Sequence, residues 1–151
     1  MNTAFENVMR EVGVGLGVGE LVLEEGRALI GVDDVVVNVH YLEEPDQVLL
    51  YAEVAPLPEK GREALYAALL EGQSFFKDTA GATLSVSREI SGIFLQILQP
   101  MRMLDAAAFL NLLEHFVHVV LYWRKVCAEL TGEEAAPQTA APEGLASMLR
   151  V

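Results

Sequence analysis

His115 and His118 stand three residues apart with Glu114 beside them, a spacing that on a helix could turn two imidazoles toward one metal ion. Zinc needs at least one more ligand, and besides carboxylates only His40 and Cys127 are on offer. Two histidines on the polar side of an amphipathic helix account for the pattern better, and no metal is expected. The stretch Gly13-Val14-Gly15-Leu16-Gly17-Val18-Gly19 is glycine-rich, but a dinucleotide loop follows a parallel strand and opens a helix. Here a helical pattern precedes the glycines and strand patterns follow, so a loose helix end is expected and no cofactor. Cys127 has no second cysteine, and its place on an apolar helix side predicts a buried, inert thiol. Ser85, Ser87 and Ser91 lack the context of a catalytic serine. The carboxylates Glu24, Glu25, Asp33, Asp34, Glu43, Glu44, Asp46 and Glu53 fall where turns and solvent faces are expected. Nothing assembles into a catalytic set, and the expectation is a binding module that is not an enzyme.

Composition narrows the partners. The 22 acidic side chains outnumber 10 basic ones, for a formal net charge of -12. Such a chain repels polyanions, and the clustered Lys and Arg that grip phosphates are missing, so nucleic acid is a poor partner. A hydrophobic share of 52% and a mean hydropathy of +0.33 leave apolar surface for a protein partner. The single cysteine fits a reducing cytoplasm. No unbroken apolar run approaches the roughly 20 residues that span a bilayer, and the N-terminus lacks the basic region of a signal peptide. No membrane insertion is expected.

The elements that must position any site follow from spacing. Phe5, Val8, Met9, Val12 and Leu16 recur at steps of three or four, predicting an amphipathic first helix that frays into the glycines. Three β-rich runs follow at Arg27 to Val32, Val35 to Leu42 and Gln47 to Val54, separated by Asp33-Asp34 and Glu43-Glu44-Pro45-Asp46. In the second run Val35, Val37, Val39 and Tyr41 share one face and Asn38 and His40 the other. Gly61 to Gly72 reads as a short helix, apolar on more than one side. Thr83 to Ser87 and Ile93 to Gln99 alternate as two more strands. Asp105 can cap a long helix through Phe109, Leu113, Phe116, Val120, Trp123, Cys127 and Leu130. One α+β domain over residues 1–132 is expected, with the acidic, Ala/Pro-containing segment 133–151 as a flexible tail.

This order of helix, three strands, helix, two strands and long helix resembles that of the class I type III secretion chaperones, the family that includes the Tir chaperone. Leu49-Leu50-Tyr51-Ala52-Glu53-Val54-Ala55-Pro56-Leu57-Pro58 looks like the family's third strand and its exit. Ala64-Leu65-Tyr66-Ala67-Ala68-Leu69-Leu70-Glu71 is similar to its second helix, and Thr83-Leu84-Ser85-Val86 to the strand after its glycine turn. Glu114-His115-Phe116-Val117 with Trp123 looks like its closing helix. The chain departs from the family where Asn often follows the second helix, having Gly72-Gln73-Ser74-Phe75-Phe76 there.

The resemblance implies an antiparallel sheet flanked by helices in an α-β-β-β-α-β-β-α order. It also implies a cytoplasmic homodimer that holds the disordered N-terminal segment of a secreted effector in extended form, with no turnover. Carried over to this chain, the effector surface would be Phe5, Val8, Met9 and Val12 of the first helix, with Val37, Val39 and Leu50 as strand positions. The dimer surface would be Leu65, Leu69, Leu70 and Leu84. Core packing competes for each of these. The alternative function is an α+β interaction or regulatory domain outside secretion that binds a folded partner, since a fold does not fix a function. A small hydrolase with Glu or His in a groove stands third.

Overall fold

The computed structural model describes residues 3–132. Helix α1 (Thr3–Gly15) leads through the glycine segment to strands β1 (Arg27–Val32), β2 (Val35–Leu42) and β3 (Gln47–Pro56). Helix α2 (Arg62–Gln73) and a single 3-10 turn (Ser74–Phe76) precede β4 (Thr83–Ser87) and β5 (Gly92–Pro100). A second 3-10 turn (Met101–Met103) hands over to α3 (Ala106–Thr131). All five strands form one antiparallel sheet in the order β1-β2-β3-β5-β4. The architecture is the α+β arrangement expected from the spacing. The expected flexible tail, 133–151, lies outside the described residues.

Local chemistry explains the joints. Asp33 and Asp34, both at positive φ (48° and 64°), make the two-residue turn between β1 and β2, the twist a tight hairpin requires. Asp105 caps α3 through a 2.7 Å bond from the Ala108 amide to its carboxylate. Gly132, at φ 72°, ends the helix in the left-handed region, and its amide donates to the Ala128 carbonyl.

The core lies between one sheet face and the helices. Val35, Val37, Val39 and Tyr41 of β2, Val48, Leu50, Ala52 and Val54 of β3, and Ile93 and Leu95 of β5 all point to that side. There they meet Phe5, Met9 and Val12 of α1 and Phe109, Leu113, Phe116 and Val120 of α3. Phe5 stacks on Tyr41 with ring centroids 5.3 Å apart, and the Tyr41 hydroxyl donates to Asp46 at 2.6 Å. Full burial of side chains of this size contributes about 1.5–3 kcal/mol each.

By length and composition α3 is long and apolar enough to cross a membrane, although Glu114, Arg124, Lys125 and Glu129 leave no unbroken apolar run of that length. Its apolar stripe, however, is the floor of the core. Near its C-terminal end the buried Arg124 donates to the Asp34 carbonyl at 3.0 Å and the Glu53 carbonyl at 3.3 Å. The end of α3 is thereby tied to the β1–β2 turn and to the irregularity in β3, where the register with β5 shifts between Glu53 and Ala55.

Candidate interaction surface

The sheet has two edges, and the chain treats them differently. At β1, the turn Glu24-Glu25-Gly26-Arg27 closes on itself: Glu24 and Arg27 exchange main-chain bonds of 3.0 and 2.9 Å, with Glu25 and Gly26 at positive φ. Arg27 therefore directs its main-chain groups away from β2. The alternation of an antiparallel ladder then turns those of Leu29 and Gly31 the same way, toward open space. Leu29 is 53% exposed, and nothing lies within 4 Å of where a Gly31 Cβ would stand.

At β4 the edge is partly closed by a side chain. The Gln73 carboxamide accepts from the Leu84 amide at 2.8 Å and donates to the Ala82 carbonyl at 3.3 Å, imitating a neighbouring strand for one residue pair. Gln73 is held by the end of α2, which leans on α3. Gly72 packs flat on the Trp123 ring, where any Cβ would collide with Cζ2 and Cη2. The Trp123 indole N–H donates to the Asp78 carbonyl at 2.9 Å, fixing the loop that follows.

On the sheet face opposite the helices a second, smaller apolar cluster has formed. Leu49, Tyr51 and Phe94 are buried there, with Leu42 and Ile90 packed against them. Leu98, opposite Leu49 in the register, is 49% exposed, and Leu29 lies in the same cross-strand row as Asn38 and Tyr51. The polar members of this face include Arg27, His40, Asn38 and Glu53, and Gln96, which accepts from the Ser85 hydroxyl at 3.0 Å. Burial, then the Arg27 charge, lowers the His40 pKa. Burial raises that of Glu53, opposed by the Arg124 charge. Asn38 donates weakly, at 3.4 Å, to the Tyr51 carbonyl.

The residues named from the sequence for effector binding mostly sit behind the sheet. Phe5, Met9, Val12, Val37, Val39 and Leu50 are enclosed in the core, and Val8 is half-buried against it. The physical reason is that α1 lays its apolar stripe on α3 and the inner sheet face, enclosing Phe5, Met9 and Val12 within the protomer. For the dimer set, Leu65 and Leu69 are buried, Leu84 is half-buried, and Leu70 is 72% exposed. Spacing missed the neighbours of Leu70: Phe75 is 98% and Phe76 51% exposed, and both hold positive φ (55° and 56°). An adjacent pair of exposed aromatic residues after a helix was the available signal.

The residues weighed for chemistry are scattered. His115 bonds the Asn111 carbonyl at 2.8 Å on the exposed side of α3, and His118 is also exposed. Among the described residues no group of three His, Cys, Asp or Glu could hold a metal. Cys127 is buried, and burial pushes its thiol up to about 11.

No curated protein matches the chain. Several solved structures share its fold. The HopA1–SchA chaperone–effector complex matches with a TM-score of 0.66 at 14% identity, over 81% of this chain and 94% of that one. The ExsC–ExsE complex matches with a TM-score of 0.66 at 20% identity, over 83% and 96%. The ExoT–SpcS complex from Pseudomonas aeruginosa matches with a TM-score of 0.63 at 19% identity, over 81% and 98%. A family model, Tir chaperone protein (CesT) family, matches residues 7–124, a span running from the first helix to the Arg124 that ties α3 to the sheet; the chain belongs to that family.

Proposed function

We propose that the protein is a type III secretion chaperone that binds the N-terminal segment of an effector in extended form and keeps it soluble and competent for secretion. Family membership carries this reading, and the fold shared with a chaperone–effector complex supports it. The client strand adds to the open edge of β1 at Leu29 and Gly31, where free main-chain groups give affinity without demanding one sequence. Its apolar side chains cover Leu29 and Leu98 beside the Leu49, Tyr51 and Phe94 cluster. The α1 residues Phe5, Val8, Met9 and Val12 and the strand residues Val37, Val39 and Leu50 support that surface from beneath. A second copy of the chain covers Leu70, Phe75 and Phe76, with Leu84 at the border and Leu65 and Leu69 holding α2 in place.

In this role the protein performs no catalysis and needs no cofactor or metal, and it works in the cytoplasm, where clients await export. The test is co-expression with candidate effectors from the source genome. A client N-terminal segment that becomes soluble, co-purifies and gains protease resistance where it is bound supports the reading. Binding only to folded partners would return the chain to the class of general interaction domains. Light scattering on the purified protein should give about twice 16.5 kDa.

A further inference from the structure

We propose that the outer sheet face selects client segments that carry one Asp or Glu among apolar residues, and that Arg27 receives the carboxylate. This deepens the chaperone reading and rests on it for the existence of an extended client. Ala28 and Ile30 point into the core, so Arg27, like Leu29, belongs to the opposite face. There it stands across from His40, and His40 across from Leu49, in one row of the ladder. The Arg27 charge is felt by His40 on β2 and by Tyr51 on β3, which sets the guanidinium over this face and not beyond its edge.

This cation has no partner of its own. In a chain with 22 acidic side chains, the one ion pair among the described residues is Lys77 with Asp78. Glu24, across the turn from Arg27, is exposed and makes no ion pair with it, and Glu53 on the same face lies in the field of Arg124. Arg124 itself is engaged by the Asp34 and Glu53 carbonyls. Arg27 has also given up part of its water. Its Nε and the Nδ1 of His40 are both enclosed, and neither has a hydrogen-bond partner among the described residues. A guanidinium already stripped of some hydration has less to lose when a carboxylate arrives.

The setting favours one carboxylate and not many. Leu49, Tyr51 and Phe94 form an apolar floor beside the exposed Leu29 and Leu98, and in such surroundings a two-pronged bond between guanidinium and carboxylate is stronger than in water. A strand paired at Leu29 and Gly31 sets alternate side chains over this face, with Arg27 in diagonal reach of them. The net charge of -12 repels acidic runs, so a single carboxylate between apolar residues suits both the local cation and the overall field.

The experiment passes a displayed library of random peptides, about twelve residues long, over the full chain and its Arg27→Gln and Arg27→Glu variants. The parent should enrich peptides with Asp or Glu beside apolar residues. Arg27→Gln should lose that preference while still binding apolar peptides, and Arg27→Glu should turn it toward Lys or Arg. Arg27→Lys keeps the charge and the stem; it should hold the preference with weaker binding, and it serves where a larger change unfolds the chain. In a synthetic peptide from the parent selection, replacing the carboxylate by its amide should weaken binding about tenfold to the parent and leave binding to Arg27→Gln unchanged. Binders without a carboxylate preference, or a preference that survives Arg27→Gln, would overturn the proposal and leave the chaperone reading standing. A parent that favours Lys and Arg would assign selection to the net charge and overturn it equally. A library that yields no binder at all counts against the chaperone reading itself, and the proposal falls with it.

Discussion

The two edges of the sheet are built from the same alternating pattern, yet one is closed by a side chain and the other left open. At β4 the Gln73 carboxamide takes the place of a strand for Leu84 and Ala82. At β1 only Arg27 is occupied, by a turn of the strand's own making, and Leu29 and Gly31 keep their outward groups. Unpaired edges invite other strands, and proteins normally blunt them. A fold that blunts one edge and spares the other has separated the place where a strand is welcome from the place where it is not.

Trp123→Ala should have the largest effect on this contrast. It removes the surface on which Gly72 rests and the donor to Asp78, so Gln73 loses its position. A loss of about 3–5 kcal/mol is expected in denaturant unfolding, as for other buried aromatic truncations. Next, Gln73→Ala should cost about 1–2 kcal/mol for two hydrogen bonds and open the β4 edge. Hydrogen exchange at the Leu84 amide should accelerate while the amides of β2 and β3 stay protected.

Leu29→Lys should act on the other edge alone. An exposed strand position away from the core changes stability by no more than about 0.5 kcal/mol. Client affinity, read by calorimetry with an effector peptide, should nevertheless fall about tenfold, because a lysine guards a strand edge. The smallest effect concerns pH. The His40 pKa is lowered in the folded state by burial and by Arg27, so the unfolded chain binds more protons as pH falls through the ordinary histidine value of 6.5. Stability contributed by keeping His40 neutral is present above 6.5 and declines as pH drops below it. His40→Gln should remove that part of the decline between pH 7.5 and 5.5 in urea titrations; an unchanged slope would show that the β1 side does not sense the proton.

The element order was legible because burial leaves a periodic trace. Val35, Val37, Val39 and Tyr41 alternate, and Phe109, Leu113, Phe116 and Val120 repeat at helical spacing, and each set occupies the core. The surface was harder to read for the same reason. Leu49, Tyr51 and Phe94 are as apolar as the residues that face the helices, so the sequence of β3 and β5 does not say which side remains uncovered. An amphipathic α1 is equally suited to a core or to a partner, and only packing against α3 decides that Phe5, Met9 and Val12 are spoken for. The edge-closing role of Gln73 depends on a meeting of the α2 terminus with β4 eleven residues later, which no local pattern announces.

Phe75 and Phe76 carry a consequence of mass action. A left-handed conformation costs a residue with a Cβ roughly 1–2 kcal/mol, and two in succession present their rings to water besides. If a second copy covers those rings, as proposed above, the free energy is returned only in the dimer, and the folded chain's resistance to heat becomes a function of its own concentration. Diluting the protein should lower its melting temperature, and replacing Phe76 by glycine should weaken that dependence while relaxing the backbone.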